Sequence, residues 1–284
     1  MMKKITLLLI TVVTFSCAKN KKEEDKTTEV ITENKEAIPV EPDGGIGGEA
    51  MSITEVHVKT IEDAHKKEEF LKHKAVQFDI DLTFGGKQRL DATITMLTNS
   101  SKIRIDKKDN SKLIFDGEKV LLTPSDASEK GARFDMFTWT YFFGLPYKLN
   151  DPGTKWELEE MRPLNEVDHQ TARLTFDQGT GDAPDDWYVI YSDTKDNMLK
   201  AAAYIVTYGQ DSSKKAEEDP HAIEYKEFKN VENIPFATKW EFYGWTNEKG
   251  MTDKLGEATI SNITFIEEES SIFEIPEDVK EIKL

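Results

Sequence analysis

The stretch "VQFDIDLTFGG" (residues 76–86) alternates apolar and polar residues without a miss. Val76, Phe78, Ile80, Leu82 and Phe84 stand at every second position, and Gly85–Gly86 follows as a turn. Successive side chains of a β-strand point to opposite faces, so this period demands a strand with one buried and one wetted face. A glycine pair between two such runs suits the positive φ angles of a two-residue hairpin. The alternation returns in "RLDATITML" (Leu90, Ala92, Ile94, Met96), and shorter runs follow in "SKIRIDKK", "SKLIFDGEK" and "KVLLT", with Asp116–Gly117 as a turn. After an aromatic interruption it resumes through "KWELEE", "TARLTFD", "DWYVIYSD", "KAAAYIVTYG", "AIEYKEF", "ATKWEFYGW" and "LGEATISNITFI". Strands in series, separated by Gly/Asp/Asn/Pro clusters and not by helices, predict an antiparallel meander. A large antiparallel sheet curls, and its concave face must be covered. The expected fold is mainly β with a few helices: a curled antiparallel sheet covered on its concave side by short helices.

Two segments supply that cover. "TEVHVKTIEDAHKKEEFLK" has helical periodicity, with Val58, Ile61, His65 and Leu71 near one face and Lys/Glu on the other. The second is "DMFTWTYFFGLPYKLNDP" (residues 135–152), an aromatic knot in a chain of net charge −17. Read as a helix, it takes Asp135 as its N-cap, with Phe134 and Trp139 placed as a hydrophobic staple. Gly144 and Pro146 are expected to end it. At helical spacing Phe137, Tyr141 and Leu145 share one side, and Met136, Trp139 and Phe143 lie roughly opposite. A helix apolar all round is buried, so one side packs on the sheet and the other meets a second apolar surface or a hydrophobic ligand. Two readings stay open: core packing, or the wall or lid of an apolar pocket. On the second, the candidate ligand-binding residues are Met136, Phe137, Trp139, Tyr141, Phe142 and Phe143.

The N-terminus indicates compartment. "MMKK" is a basic n-region, and "ITLLLITVVTF" is an apolar run of signal-peptide length, too short to span a bilayer. It leads into "TFSC", ending at Cys17, the only cysteine of the chain, so no internal disulfide is possible. Ser16–Cys17 behind an apolar run resembles the lipobox of bacterial lipoproteins, with Thr14 where the usual box has an aliphatic residue. The resemblance implies removal of residues 1–16 as a signal peptide, acylation of Cys17 and, because Ala18 and not Asp follows, an outer-membrane anchor facing the periplasm or the cell surface. Residues 18–53 are charged, Pro/Gly-punctuated and nearly free of aromatics, a composition suited to a tether and not to a core. The expected organisation is therefore signal peptide 1–16, lipidated cysteine and flexible tether 17–53, and one domain over 54–284.

Loss of residues 1–16 removes Lys3 and Lys4 and no acid, leaving a charge of −19. Such a balance argues against nucleic acid as a partner, since phosphate binding needs a basic footprint. "DQGTGDAPDDWYVIY" gathers Asp177, Asp182, Asp185 and Asp186 around two glycines. Carboxylates suit calcium, but the spacing is not that of an EF-hand, and a solvated hairpin loop is the expectation. The histidines form no HExxH or other tight metal pattern, and no GxSxG or P-loop is present. No metal, cofactor or catalytic residue is expected.

The order helix, curling strands, internal aromatic helix, further strands resembles the LolA/LolB-type half-barrel of lipoprotein carriers. More narrowly, "YFFGLPYKLNDPG" followed by "GTGDAPDDWYVIYSDTKDNMLKAAAYIV" resembles a family of uncharacterised Bacteroidota lipoproteins, in which an "LP..LNDP" segment precedes a Gly/Asp loop and a "Y.I" strand. That family has no established activity, so the resemblance implies a fold and a compartment. LolA-type proteins hold acyl chains between sheet and helices, which implies a lipid or other hydrophobic molecule as partner, with the membrane reached through the N-terminal lipid. The alternative is an interaction module for a protein or glycan, with the knot as solid core; a carbohydrate-active enzyme would need two facing acids in a cleft.

Overall fold

The computed structural model describes residues 51–267 and 271–283. The expected signal peptide (1–16), Cys17 and all but residues 51–53 of the expected tether (17–53) lie outside the described residues. The described chain opens with α1 (Ile53–Ala64) and α2 (Lys67–Phe70). Ser52 starts α1 with a capping box: its hydroxyl accepts from Glu55 N–H at 3.1 Å, and the Glu55 carboxylate accepts from Ser52 N–H at 2.6 Å. Val58, Ile61 and His65 are buried as their spacing predicts. Leu71 is exposed, and Phe70 is buried in its stead. The cause is Lys66, whose left-handed backbone (φ 60°) breaks the helix and turns the next residues by a different angle.

Five strands follow as a meander: β1 (Ala75–Phe84), β2 (Lys87–Leu97), β3 (Ile103–Lys107), β4 (Lys112–Phe115) and β5 (Val120–Thr123). The β1–β2 turn is Gly85–Gly86, at φ +57° and +73°; a side chain would strain both positions. A helical segment (residues 132–147) then leads to β6 (Thr154–Leu158), β7 (Arg162–Leu164), β8 (Val167–Phe176), β9 (Tyr188–Asp193) and β10 (Leu199–Tyr204). A short helix (Ser213–Ala216) precedes β11 (His221–Val231), β12 (Ile234–Thr246) and β13 (Gly250–Ile266), and β14 (Lys280–Ile282) comes last.

All fourteen described strands join one sheet in the order β14-β5-β4-β3-β2-β1-β13-β12-β11-β10-β9-β8-β6, with β7 pairing with β8. Every pairing is antiparallel. The path is simple. The chain meanders from the middle of the sheet to one edge, crosses over in the helical segment, and meanders back from the opposite edge until β13 pairs with β1. Two outer arms therefore face each other across the crossover, and the sheet is an open half-barrel, not a closed one. Its concave core follows the period-2 pattern: Val76, Phe78, Ile80 and Leu82 are at most 1% exposed, and Ile80 is paired with Ile260 on β13 and Ala92 on β2.

The helical segment departs from the expected single helix. It is α3 (Ala132–Phe134), a π-helical stretch (Asp135–Trp139), α4 (Thr140–Gly144) and a 3-10 turn (Leu145–Tyr147) that includes Pro146. Asp135 is not its N-cap. Gly131, at φ +73°, begins the segment, and Asp135 sits inside, 1% exposed. Its carboxylate is claimed by long-range partners: Arg89 Nη2 and Lys107 Nζ, each at 2.8 Å, and Trp139 Nε1 at 3.0 Å. The α-helix does end at Gly144, as expected, and Pro146 is accommodated in the single 3-10 turn that follows, where a missing N–H costs little.

Candidate functional site

The two-sided division read from helical spacing largely survives the change of pitch. Phe137 and Tyr141 lie on one side and Met136, Trp139 and Phe143 on the other, while Leu145, in the 3-10 turn, leaves the first side for the core. Trp139 packs against Phe242 with ring centroids 5.8 Å apart, and Phe143 stacks on Phe78 at 3.8 Å and on Phe236 at 5.5 Å. Met136 and Leu145 are fully buried in the same core. Phe142 is buried too, 4.8 Å from Tyr204, and its carbonyl accepts from the Tyr225 hydroxyl at 2.9 Å. The void beside Phe143 and Trp240 measures about 20 Å³, room for a single water.

On the other side lies a cavity of about 600 Å³. Phe137 and Tyr141 form its floor and are only partly buried. Phe137 meets Phe115 of one arm edge-on at 5.2 Å, and Tyr141 meets Tyr188 of the other at 5.4 Å. Ile103 and Val120 continue the wall on the first arm, and Phe176 and Tyr204 on the second. The cavity therefore occupies the gap that barrel closure would have filled. Of the six residues singled out in the sequence, the fold brings Phe137, Tyr141 and Phe142 to its wall; Met136, Trp139 and Phe143 are core and do not line it.

The polar margin comes from segments whose sequence gave no such signal. Gly181, Asp182, Ala183 and Asp186 of the β8–β9 loop line the cavity, which a freely solvated hairpin loop would not do. Asp182 pairs with Arg133 of α3, and Asp186 accepts from Thr207 N–H at 2.8 Å and from the Thr207 hydroxyl at 2.7 Å. Asp177 pairs instead with Lys155. The acids of this loop are thus dispersed onto separate partners, and among the described residues no group of three or more His, Cys, Asp or Glu side chains is placed to hold a metal ion. Lys148 Nζ pairs with Asp151 at 2.9 Å on the far margin. Burial pushes the Asp186 carboxyl upward against the lowering effect of Thr207. It pushes the Tyr141 phenol well above its usual range, and among the described residues that buried hydroxyl has no hydrogen-bond partner.

Residues 58–257 match the model of a family of unknown function, DUF6503. The chain belongs to that family. Comparison with solved structures finds similar chains. A LolA superfamily protein from Nitrosomonas europaea superposes with TM-score 0.51 at 9% identity, covering 79% of this chain and 99% of that one. A DUF1329 family protein from Desulfovibrio piger gives TM-score 0.41 at 10% identity over 76% of this chain and 97% of its own. No curated protein matches. At 9% identity the likeness to the LolA superfamily protein concerns the fold alone, and it places this DUF6503 member among LolA-like half-barrels.

The cavity itself had no local signature. Tyr188, Tyr204 and Phe176 lie in strands recognised by alternation, but nothing in that period tells an inner face packed on protein from one left open. The segment "GDAPDD" shows only turn chemistry, although an acidic loop adjoining aromatic strand residues is the kind of stretch to inspect as a cavity rim. Among the described residues no helix is long and apolar enough to cross a membrane.

Proposed function

We propose that this protein binds a hydrophobic molecule, without catalysis, in the cavity between the two arms of the half-barrel. One observation carries the reading: a gap of about 600 Å³ with aromatic and aliphatic walls and a few polar groups at its margin, the size and character of a small-molecule site. Its position supports the reading as well, since the unclosed edge of a half-barrel leaves an entrance. We further propose that removal of residues 1–16 leaves Cys17 lipidated and the domain held by residues 17–53 at the outer membrane. That organisation rests on the basic, apolar and small-residue order of "MMKKITLLLITVVTFSC".

The interaction-module reading expects a filled interior. It accounts for the packing around Trp139 and Phe143 but leaves the open side at Phe137 and Tyr141 unexplained. The test is native mass spectrometry of the full chain carrying Cys17→Ser, purified without harsh detergent. The expected result is a stoichiometric adduct that is lost on denaturation, or uptake of added fatty amine, fatty alcohol, fatty acid or phospholipid by the empty protein. Empty protein that takes up none of them would refute the binding reading.

A further inference from the structure

The chemical class of the ligand's polar end can be read from the charges around the cavity, on the premise that the cavity binds a hydrophobe at all. Four carboxylates line it, Glu118, Asp151, Asp182 and Asp186, against two cations, Arg133 and Lys148. Both cations are already engaged, Arg133 with Asp182 and Lys148 with Asp151 at 2.9 Å. Asp186 differs from the acids that hold them. It is partly buried, its contacts are the two hydrogen bonds from Thr207, and among the described residues it has no cationic partner. A carboxylate withdrawn from water without a counter-charge is costly, and a cation brought to it recovers that cost. The surrounding rings favour the same sign. Tyr141 lies 5.4 Å from Tyr188, and Tyr188 lies 6.2 Å from Tyr204; the faces of such rings attract cations.

We propose that the cavity selects hydrophobes with a cationic head, an amine or a related group, received by Asp186 beside the Tyr141–Tyr188 pair. An anionic head of the same length would meet Asp186 and find neither lining cation free. Discrimination would then come from repulsion as much as from attraction.

The test compares three twelve-carbon chains, dodecylamine, dodecan-1-ol and dodecanoate. Each is used below its micellar concentration to displace a bound apolar fluorescent dye from the full chain carrying Cys17→Ser at neutral pH. The amine is expected to displace the dye at a concentration about tenfold or more below that of the acid, a difference of about 1.4 kcal/mol or more. The alcohol is expected to fall between them. Asp186→Asn, a change of charge without change of size, should bring amine and acid together, and an unchanged thermal unfolding transition and near-UV circular dichroism spectrum show that the fold is intact. An acid that binds as well as the amine, or an amine advantage that survives Asp186→Asn, overturns the assignment of charge but leaves the hydrophobe site standing. Dye that binds but yields to none of the three overturns the assignment too, whereas failure of the dye itself to bind removes the binding reading along with it.

Discussion

The two sides of the central helical segment are built from the same kinds of residue and serve opposite ends. One side, Met136, Trp139 and Phe143, is at most 5% exposed and interlocks with Phe78, Phe236 and Phe242 of the sheet. The other, Phe137 and Tyr141, reaches one ring on each arm and otherwise faces about 600 Å³ of open volume. Composition does not separate them; what lies opposite does. The middle strands β1 and β12 bring Phe78, Phe236 and Phe242 against the crossover, whereas the outer arms end at edges that never pair with each other. The anchoring charges differ as well. Asp135 is buried among Arg89, Lys107 and the Trp139 indole, and Asp182 and Arg133 tie the cavity-side rim.

The sharpest way to break this contrast is to truncate one aromatic on each side. Trp139→Ala removes a large side chain from a filled core and orphans one hydrogen bond to Asp135, so stability should fall by about 3–5 kcal/mol. Phe137→Ala removes a ring that already faces open volume, with an expected loss of about 1 kcal/mol but a marked loss of dye or hydrophobe affinity. Denaturant titrations read the first quantity and dye displacement the second. Equal destabilisation by the two substitutions would mean that the cavity side is packed like the core.

Much of this was legible beforehand, and the reasons are specific. Alternation in β1 and β2 shows because one face of each is fully buried and the other wet, and Gly85–Gly86 marks their turn because only glycine adopts those angles cheaply. β7 and β14 escape notice: each is three residues long, one contains Pro163, and the other is flanked by charge. The helical segment is evident as a helix but not in its pitch, since the π turn at Asp135–Trp139 goes with tertiary bonds to Arg89 and Lys107 that no local pattern encodes. The rim is illegible for the same reason. Asp186 looks like a solvated loop acid until Thr207, twenty-one residues on, is seen to hold it.

A smaller effect distinguishes the sides by acid sensitivity. His65 packs behind the core side, 6.4 Å from Tyr147, and its Nε2 accepts from Leu199 N–H at 2.9 Å. Burial lowers its pKa from 6.5 to about 3, so the folded ring stays neutral while the unfolded ring takes a proton. The stability that depends on the neutral ring is complete above about pH 6.5 and is lost as the pH falls toward 3, by up to about 1.4 kcal/mol per pH unit. His65→Gln should be less stable at pH 7 yet lose less on acidification, so the two denaturation profiles should converge between pH 6.5 and 4. Parallel profiles would show that His65 is not the acid-sensitive element of the core side.

The smallest expected change in stability concerns the rim. The Arg133 guanidinium lies 5.1 Å over the Phe137 ring and pairs with Asp182, so one side chain joins the cavity floor to the β8–β9 loop. Arg133→Gln keeps a polar side chain and removes the charge. As with most ion pairs near a surface, the stability change should stay below about 1 kcal/mol. The kinetic consequence should be larger in proportion. A loop no longer tied to the floor opens more often, so hydrophobe release measured by stopped-flow dye exchange should accelerate severalfold, with association little changed. Asp182→Asn should behave alike, and the double variant should add little to either single one, because both remove the same tie. Release rates that add across the two substitutions would show that Arg133 and Asp182 act separately, and that the rim is held by something other than their pairing.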